Sequence, residues 1–344
     1  MIENTNVISQ SFESKEKGNF IPHHAKGSNA EITDFQPFDE TLEVGKPVYM
    51  TPAGGRSSDN TAFPFFNIEE PGKQGIMVAV GWTGKWYADV TLQDEKSFVL
   101  KAGMEKIRLK LFPKEEICTP KICLLFWQGE DRMTGHNQFR QFVLAHHPRK
   151  IDGKHVELPF STFLAREGPP PCNEHTCSTE SYSIAEINRH KQFDIVPEVF
   201  WLDAGWYACN GQWPNVGNWT PNTDNFPNGF KPVTDAAHRV GAKFLLWFEA
   251  ERVTKGTLFA NQNPEWLLNL PGNSNSLFNL GNPEARTWLT GYISDFLKKR
   301  ESIITGRTST SIQCRTGKRM TSPSGLEYQR SGTSKGCTLS GILF

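Results

Sequence analysis

EVFWLDAGWY (198–207) and KFLLWFEAERV (243–253) are two short apolar runs, each closing on carboxylates and aromatic rings. Between them PVTDAAHRVG (232–241) has a helical spacing of apolar residues and a stop at Gly241. Upstream, VELPF (156–160) predicts another strand, and YSIAEINRHKQF (182–193) a helix primed by Ser178, Thr179 and Glu180. Downstream, NPEARTWLTGYISDFLKK (282–299) predicts a helix opened by Asn282, with Pro283 at the first position, where a missing N–H leaves no bond unmade. Short, nearly continuous apolar strands separated by helices call for parallel pairing with both faces covered. Residues 148–300 therefore predict the first part of a (β/α)8 TIM barrel, strands one to three, left incomplete; a doubly wound sheet is the alternative.

The first part of the chain has a different rhythm. From Gly45 to Phe126 the runs PVYMT, GIMVAVGW, WYADVTL, SFVLKAG, IRLKLF and ICLLFW recur between turn residues with little helical period. Residues 1–147 thus predict an N-terminal antiparallel β-sandwich domain, closed by a connecting helix over NQFRQFVLAHH (137–147) that Pro148 ends. The organisation is multidomain, as 344 residues with 12% aromatic content allow.

Lysine plus arginine and aspartate plus glutamate both number 37, which leaves no basic footprint for nucleic acid or an anionic membrane surface. No apolar run reaches the roughly 18 residues of a membrane span, and MIENTNVISQSFESKEKG lacks the apolar stretch of a secretory signal. Those features point to the cytoplasm. The seven cysteines are scattered over the chain and read mostly as free thiols. Cys172-Asn-Glu-His175-Thr-Cys177 reads as a loop, since a metal site would need a second ligand pair at a recognisable spacing.

In a barrel the carboxyl ends of the strands converge on one mouth, so Asp203, Trp206, Trp247, Glu249, Glu251 and Arg252 would share a pocket, with Trp213 and Trp219 added from the loop between. Carboxylates and an arginine hold vicinal hydroxyls by charge-assisted hydrogen bonds, and indole faces match the C–H face of a pyranose. The same tryptophans also suit a packed core and the same charges a solvated strand end, and the residues alone leave both open.

DAGWY, NVGNW, FPNGFKPVTDAAHRVGAKFLLWFEAERV, NPEWLL and LFNLGNPEAR resemble, in the same order, the second and third barrel units of glycoside hydrolase family 36 α-galactosidases, the melibiase-like enzymes. GHNQFRQFVLAHHPR resembles that family's passage from sandwich to barrel, and GIMVAVGWTGKW its sandwich domain. Together these strings cover most of residues 70–299. The resemblance implies retaining hydrolysis of terminal α-D-galactosyl residues from oligosaccharides, in carbohydrate catabolism and with no metal or other cofactor. By the same resemblance Asp203 matches an aspartate that binds galactose hydroxyls, Trp206 the indole beside it, and Trp247 an aromatic lining the galactose pocket. Glu249, Glu251 and Arg252 fall in the family's strand end. Ala204 stands where many members carry a second aspartate, and Asn273 near where some place an arginine. Galactosyl transfer, preference for N-acetylgalactosamine, or a carbohydrate-binding or structural remnant without catalysis are the alternatives.

The resemblance stops near Lys299. The family's nucleophilic aspartate closes the fourth strand in a string like EGIDYYRQDFN, whereas this chain continues RESIITGRTST, so that no fourth strand and a disordered tail over 301–344 are expected. A shifted reading frame connects the two: GRTST (306–310) written GGC AGG ACT TCA ACA becomes RQDFN when read one base earlier, and KGCTLSGI (335–342) is compatible with EGLYAFWD. The nucleophile's codon then overlaps that of Thr308, and the acid/base aspartate lies beyond Phe344. Both catalytic aspartates are thus expected to be missing from a C-terminally truncated chain, leaving it inactive.

Overall fold

The computed structural model describes residues 5–54, 56–105, 107, 110–114, 116–148, 150–156, 158–164, 172–173, 177–209, 215–269, 271–299 and 303–307. The chain divides into two compact units, one through Val156 and one from Glu157 to Thr310.

Two antiparallel sheets make up the first unit. One orders the strands Thr5–Glu13, Ser97–Met104, Trp86–Leu92 and Pro47–Met50; the other orders Pro37–Asp39, Ile21–Ala25, Phe65–Glu70, Gln74–Gly81 and Lys121–Gln128. Their period-two alternation turns Trp86, Ala88 and Val90 from the first sheet and Ile76, Val78 and Val80 from the second into a single core. The opposite face of the second sheet carries Met77, Ala79 and Trp127 against Phe139 of the connecting helix, Met133–His146. That helix begins a turn before the segment its apolar spacing marks out.

Gly135 lets this helix sit on the sheet. A Cβ there would lie 2.5 Å from Cδ1 and Nε1 of Trp127, an indole whose N–H donates to Asn67 Oδ1 at 2.9 Å. Gly to Ala inside a helix ordinarily stabilises by about 1 kcal/mol. Gly135→Ala should instead destabilise the sandwich by about 1–3 kcal/mol through overpacking. A denaturant midpoint that stays level or rises would show that the helix lifts to make room.

The second unit is built on a parallel sheet in sequential order: Ser161–Phe163, Val199–Leu202, Lys243–Phe248 and Ile303–Arg307. Helices Glu180–Gln192, Lys231–Arg239 and Pro283–Lys298 connect them. The Thr179 hydroxyl caps the first by accepting from Tyr182 N at 3.2 Å, and Asn282 caps the last by accepting from Glu284 N at 2.9 Å. Gly241, at φ +85°, ends the middle one, a conformation that costs a glycine no Cβ clash. One face of the sheet, with Phe200, Leu202, Phe244 and Leu246, is fully buried in the core that also holds Val233, Phe230 and Phe296. The other face carries the half-buried row Phe163, Trp201 and Leu245, the first two stacked at 4.3 Å.

Three expectations change. The first strand is Ser161–Phe163, not 156–160, because the register with Val199–Trp201 engages the later residues and leaves Leu158 and Phe160 exposed. A fourth strand does form: Ile303–Arg307 pairs with Phe244–Phe248, since the β-branched run Ile303-Ile304-Thr305 meets an open sheet edge. The rest of the 308–344 tail lies outside the described residues. Cys172 and Cys177 are joined by a disulfide and are not free thiols; Cys118, Cys123 and Cys209 are free among the described residues.

Candidate functional site

The carboxyl ends of the second and third parallel strands bring the predicted residues to one level. Leu202 pairs with Leu246 and Trp247 with Gly306, so Asp203, Trp247 and Gly306 fall in one row across three neighbouring strands. With strands roughly 4.8 Å apart, this row places Asp203 and Gly306 about 10 Å from each other, with Trp247 between them. Asp203 is half-buried, and its Oδ1 accepts from Ala204 N at 2.6 Å, which fixes the carboxylate at the strand end.

Lys243–Phe248 stops at Glu249 because the chain turns there into a second, antiparallel sheet. In that sheet Arg252–Thr254 pairs with Asn275–Phe278, and Leu267–Asn269 pairs with the same central strand from its other side. Across the turn Arg252 donates to Glu249 Oε2 from Nη2 at 2.5 Å and from Nε at 3.1 Å. The Glu249 side chain is fully buried and that of Arg252 is 14% exposed. Glu251 is also fully buried, and its carbonyl accepts from Phe278 N at 2.7 Å. These charged groups brace the strand end, with Arg252 the one closest to solvent. Burial pushes the neighbouring Tyr207 phenol well above its usual range, with Cys209 and the Glu249 carboxylate adding to the rise.

Trp206, Trp219 and Trp247 are all buried in one core, Trp247 at 3% exposed. Trp206 is fully buried, ringed at 5.1–5.7 Å by Tyr207, Phe230, Phe248 and Phe296, and its indole N–H donates to the Trp247 carbonyl at 2.9 Å. It therefore supports Trp247 from behind. Trp219 is fully buried against Phe248 and Phe259, and its carbonyl accepts from the Tyr292 hydroxyl at 2.8 Å. Trp213 lies outside the described residues. Tyr207, the last residue of DAGWY, and Cys209, which none of the quoted strings includes, complete the packing below the strand end.

Two antiparallel sheets followed by sequential parallel strands whose carboxyl ends carry acids, an arginine and an indole have the order of elements of a sandwich followed by part of a TIM barrel. Residues 179–304 match the Melibiase family. Alpha-galactosidase 2 of Pediococcus pentosaceus is 26% identical over 219 residues, covering 60% of this chain and 28% of that protein. Alpha-galactosidase Mel36A of Lactobacillus acidophilus is 25% identical over 169 residues, covering 47% and 21%. Among solved structures, the GH36 α-galactosidase AgaA A355E of Geobacillus stearothermophilus superposes with a TM-score of 0.76 at 16% identity, over 97% of this chain and 46% of that one. The α-galactosidase of Lactobacillus brevis does so at 0.73 and 18%, over 97% and 45%. By these matches the chain is similar to family 36 α-galactosidases, a family of glycoside hydrolases. The chain spans 28% and 21% of the length of those two curated relatives and under half of the solved chains. Among the described residues no helix is long and apolar enough to cross a membrane.

Proposed function

We propose that this chain carries the galactose-recognising half of a retaining α-galactosidase site, and that the chemistry needs residues it does not present. The observation that carries this is the row Asp203, Trp247, Gly306 at the carboxyl ends of adjacent parallel strands. Asp203 accepts sugar hydroxyls, Trp247 offers an apolar wall, and the buried Glu249–Arg252 pair holds the strand end rigid beneath them. Related proteins of this fold have been crystallised with raffinose and with stachyose, which supports an α-galactoside oligosaccharide as the ligand.

A retaining glycosidase needs two carboxyl groups about 5–5.5 Å apart, one as nucleophile and one as acid then base. The fourth strand brings Gly306 and Arg307 level with Trp247 and Phe248 without a carboxylate, and residues 302–344 contain a single acid, Glu327. On this reading double displacement belongs to a frame-restored protein, whose shifted codon writes an aspartate at the position of Thr308. In that restored protein Asp203→Ala should lower kcat/KM for p-nitrophenyl α-galactoside by about 30-fold or more, or about 2 kcal/mol of transition-state stabilisation. An unchanged kcat/KM would remove Asp203 from the pocket.

A further inference from the structure

The sandwich has a cleft of its own, distant in sequence from every residue placed at the barrel mouth. Its volume is about 570 Å³, within the range of small-molecule sites. It opens between the two sheets where their edge strands, Thr5–Glu13 and Lys121–Gln128, come closest. Phe12 from one and Phe126 from the other flank the entrance with ring centroids 6.1 Å apart. Phe98 and Phe20 lie behind them as a buried floor, Phe98 stacked on Phe12 at 5.2 Å. Phe126 is 65% exposed although it pairs with the buried Ile76, which makes it an aromatic face kept in water at the mouth of an apolar slot.

The polar groups at this mouth are carboxylates, amides and the Ser14 hydroxyl, which donates to Glu70. Glu70 is 5% exposed and lines the cleft, with Gln74 donating to it at 3.0 Å and Lys73 at 2.8 Å. Burial raises its pKa, but the bonds from Lys73, Gln74 and Ser14 outweigh that and hold the carboxyl below its usual range. It is thus an ionised acceptor at neutral pH. Gln128 and Gln138 add amides that both donate and accept, and Glu13 adds a second acceptor. Among the described residues the lining holds no lysine, arginine or histidine, which disfavours phosphates and other anions. Aromatic faces beside carboxylates and amides suit a neutral ligand with one C–H-rich face and a rim of hydroxyls.

We propose that the cleft lined by Phe20, Phe98, Phe126, Glu70 and Gln128 is a second, non-catalytic binding site for a neutral oligosaccharide, which stacks on the exposed face of Phe126 and hydrogen-bonds to Glu70 and Gln128. This site does not depend on the barrel residues or on the reading frame after Lys299.

Isothermal titration of the full 344-residue chain with raffinose tests it, alongside the variants Phe126→Ala, Phe126→Trp and Asp203→Ala. Raffinose binding weakened tenfold or more by Phe126→Ala, kept by Phe126→Trp and unmoved in its sandwich component by Asp203→Ala is the expected pattern. Phe126 is exposed, so its removal should leave the thermal midpoint unchanged, and a matched melt checks this. The same Phe126-dependent binding with maltotriose, which lacks galactose, also supports the site and widens the sugars it accepts. Binding abolished by Asp203→Ala and untouched by Phe126→Ala would overturn the proposal while leaving the barrel pocket standing. Absence of any raffinose or maltotriose binding at millimolar concentration would overturn it as well.

Discussion

The 344-residue chain should not hydrolyse p-nitrophenyl α-galactoside, and restoring the reading frame near codon 299 with the native downstream gene should recover turnover. The expected difference is on the order of 10⁶ in kcat, the size of loss when a covalent nucleophile is removed from an otherwise intact site. The physical reason lies at the end of the fourth strand. Ile303–Arg307 brings the backbone to the level of Trp247 and Phe248, but the chain then continues as Thr308-Ser309-Thr310. Hydroxyl side chains in this stretch of sequence have neither the charge to stabilise an oxocarbenium-like centre nor the leaving ability of a carboxylate. Turnover by the present chain within tenfold of the restored enzyme would overturn the assignment of the nucleophile to this strand.

Trp206→Ala should destabilise the second unit by about 3–5 kcal/mol, enough to remove most of the stability of a typical domain. The indole is fully buried among four aromatic rings, so truncation opens a cavity that rigid neighbours cannot collapse into. It also removes the buried hydrogen bond from the Trp206 indole to the Trp247 carbonyl. Trp206→Phe should recover much of the packing term and none of the hydrogen bond. Denaturant unfolding followed by tryptophan fluorescence and circular dichroism measures both. A Trp206→Ala protein that melts with the parent and only binds galactose more weakly would return this residue to the pocket wall.

Much of the fold can be read without coordinates because local rules and tertiary packing agree. Thr179 and Asn282 cap the helices they precede, Gly241 stops the helix before it, and the alternation of Ile76, Val78 and Val80 marks a two-faced strand. The boundaries less well marked are those set by a partner strand. VELPF has the composition of a strand, yet pairing begins at Ser161, since register depends on the partner residues Val199–Trp201 and not on propensity. The tail after Lys299 has the composition of a disordered segment, yet five of its residues pair because an open edge lies beside them.

The sequence by itself marked a change of rhythm between two parts, strand and helix alternation in the second, and Asp203, Trp247 and Glu249 near strand ends; Arg252, read as closing the strand 243–253, instead opens a strand of another sheet. Period, capping residues and the chemistry of strand termini are local properties, so they survive without a structure. Only the tertiary structure showed that both indoles, Trp206 and Trp247, are buried in one core and which neighbours each packs against. Trp206 and Trp247 look alike as indoles near strand ends, but one lies beyond its strand and the other within one. That displacement turns Trp206 in among Phe230, Phe248 and Phe296, while register sets Trp247 in a row with Asp203. Which side of a sheet a residue beyond a strand occupies depends on the path of the chain after the last paired residue. Packing among residues distant in sequence decides that path.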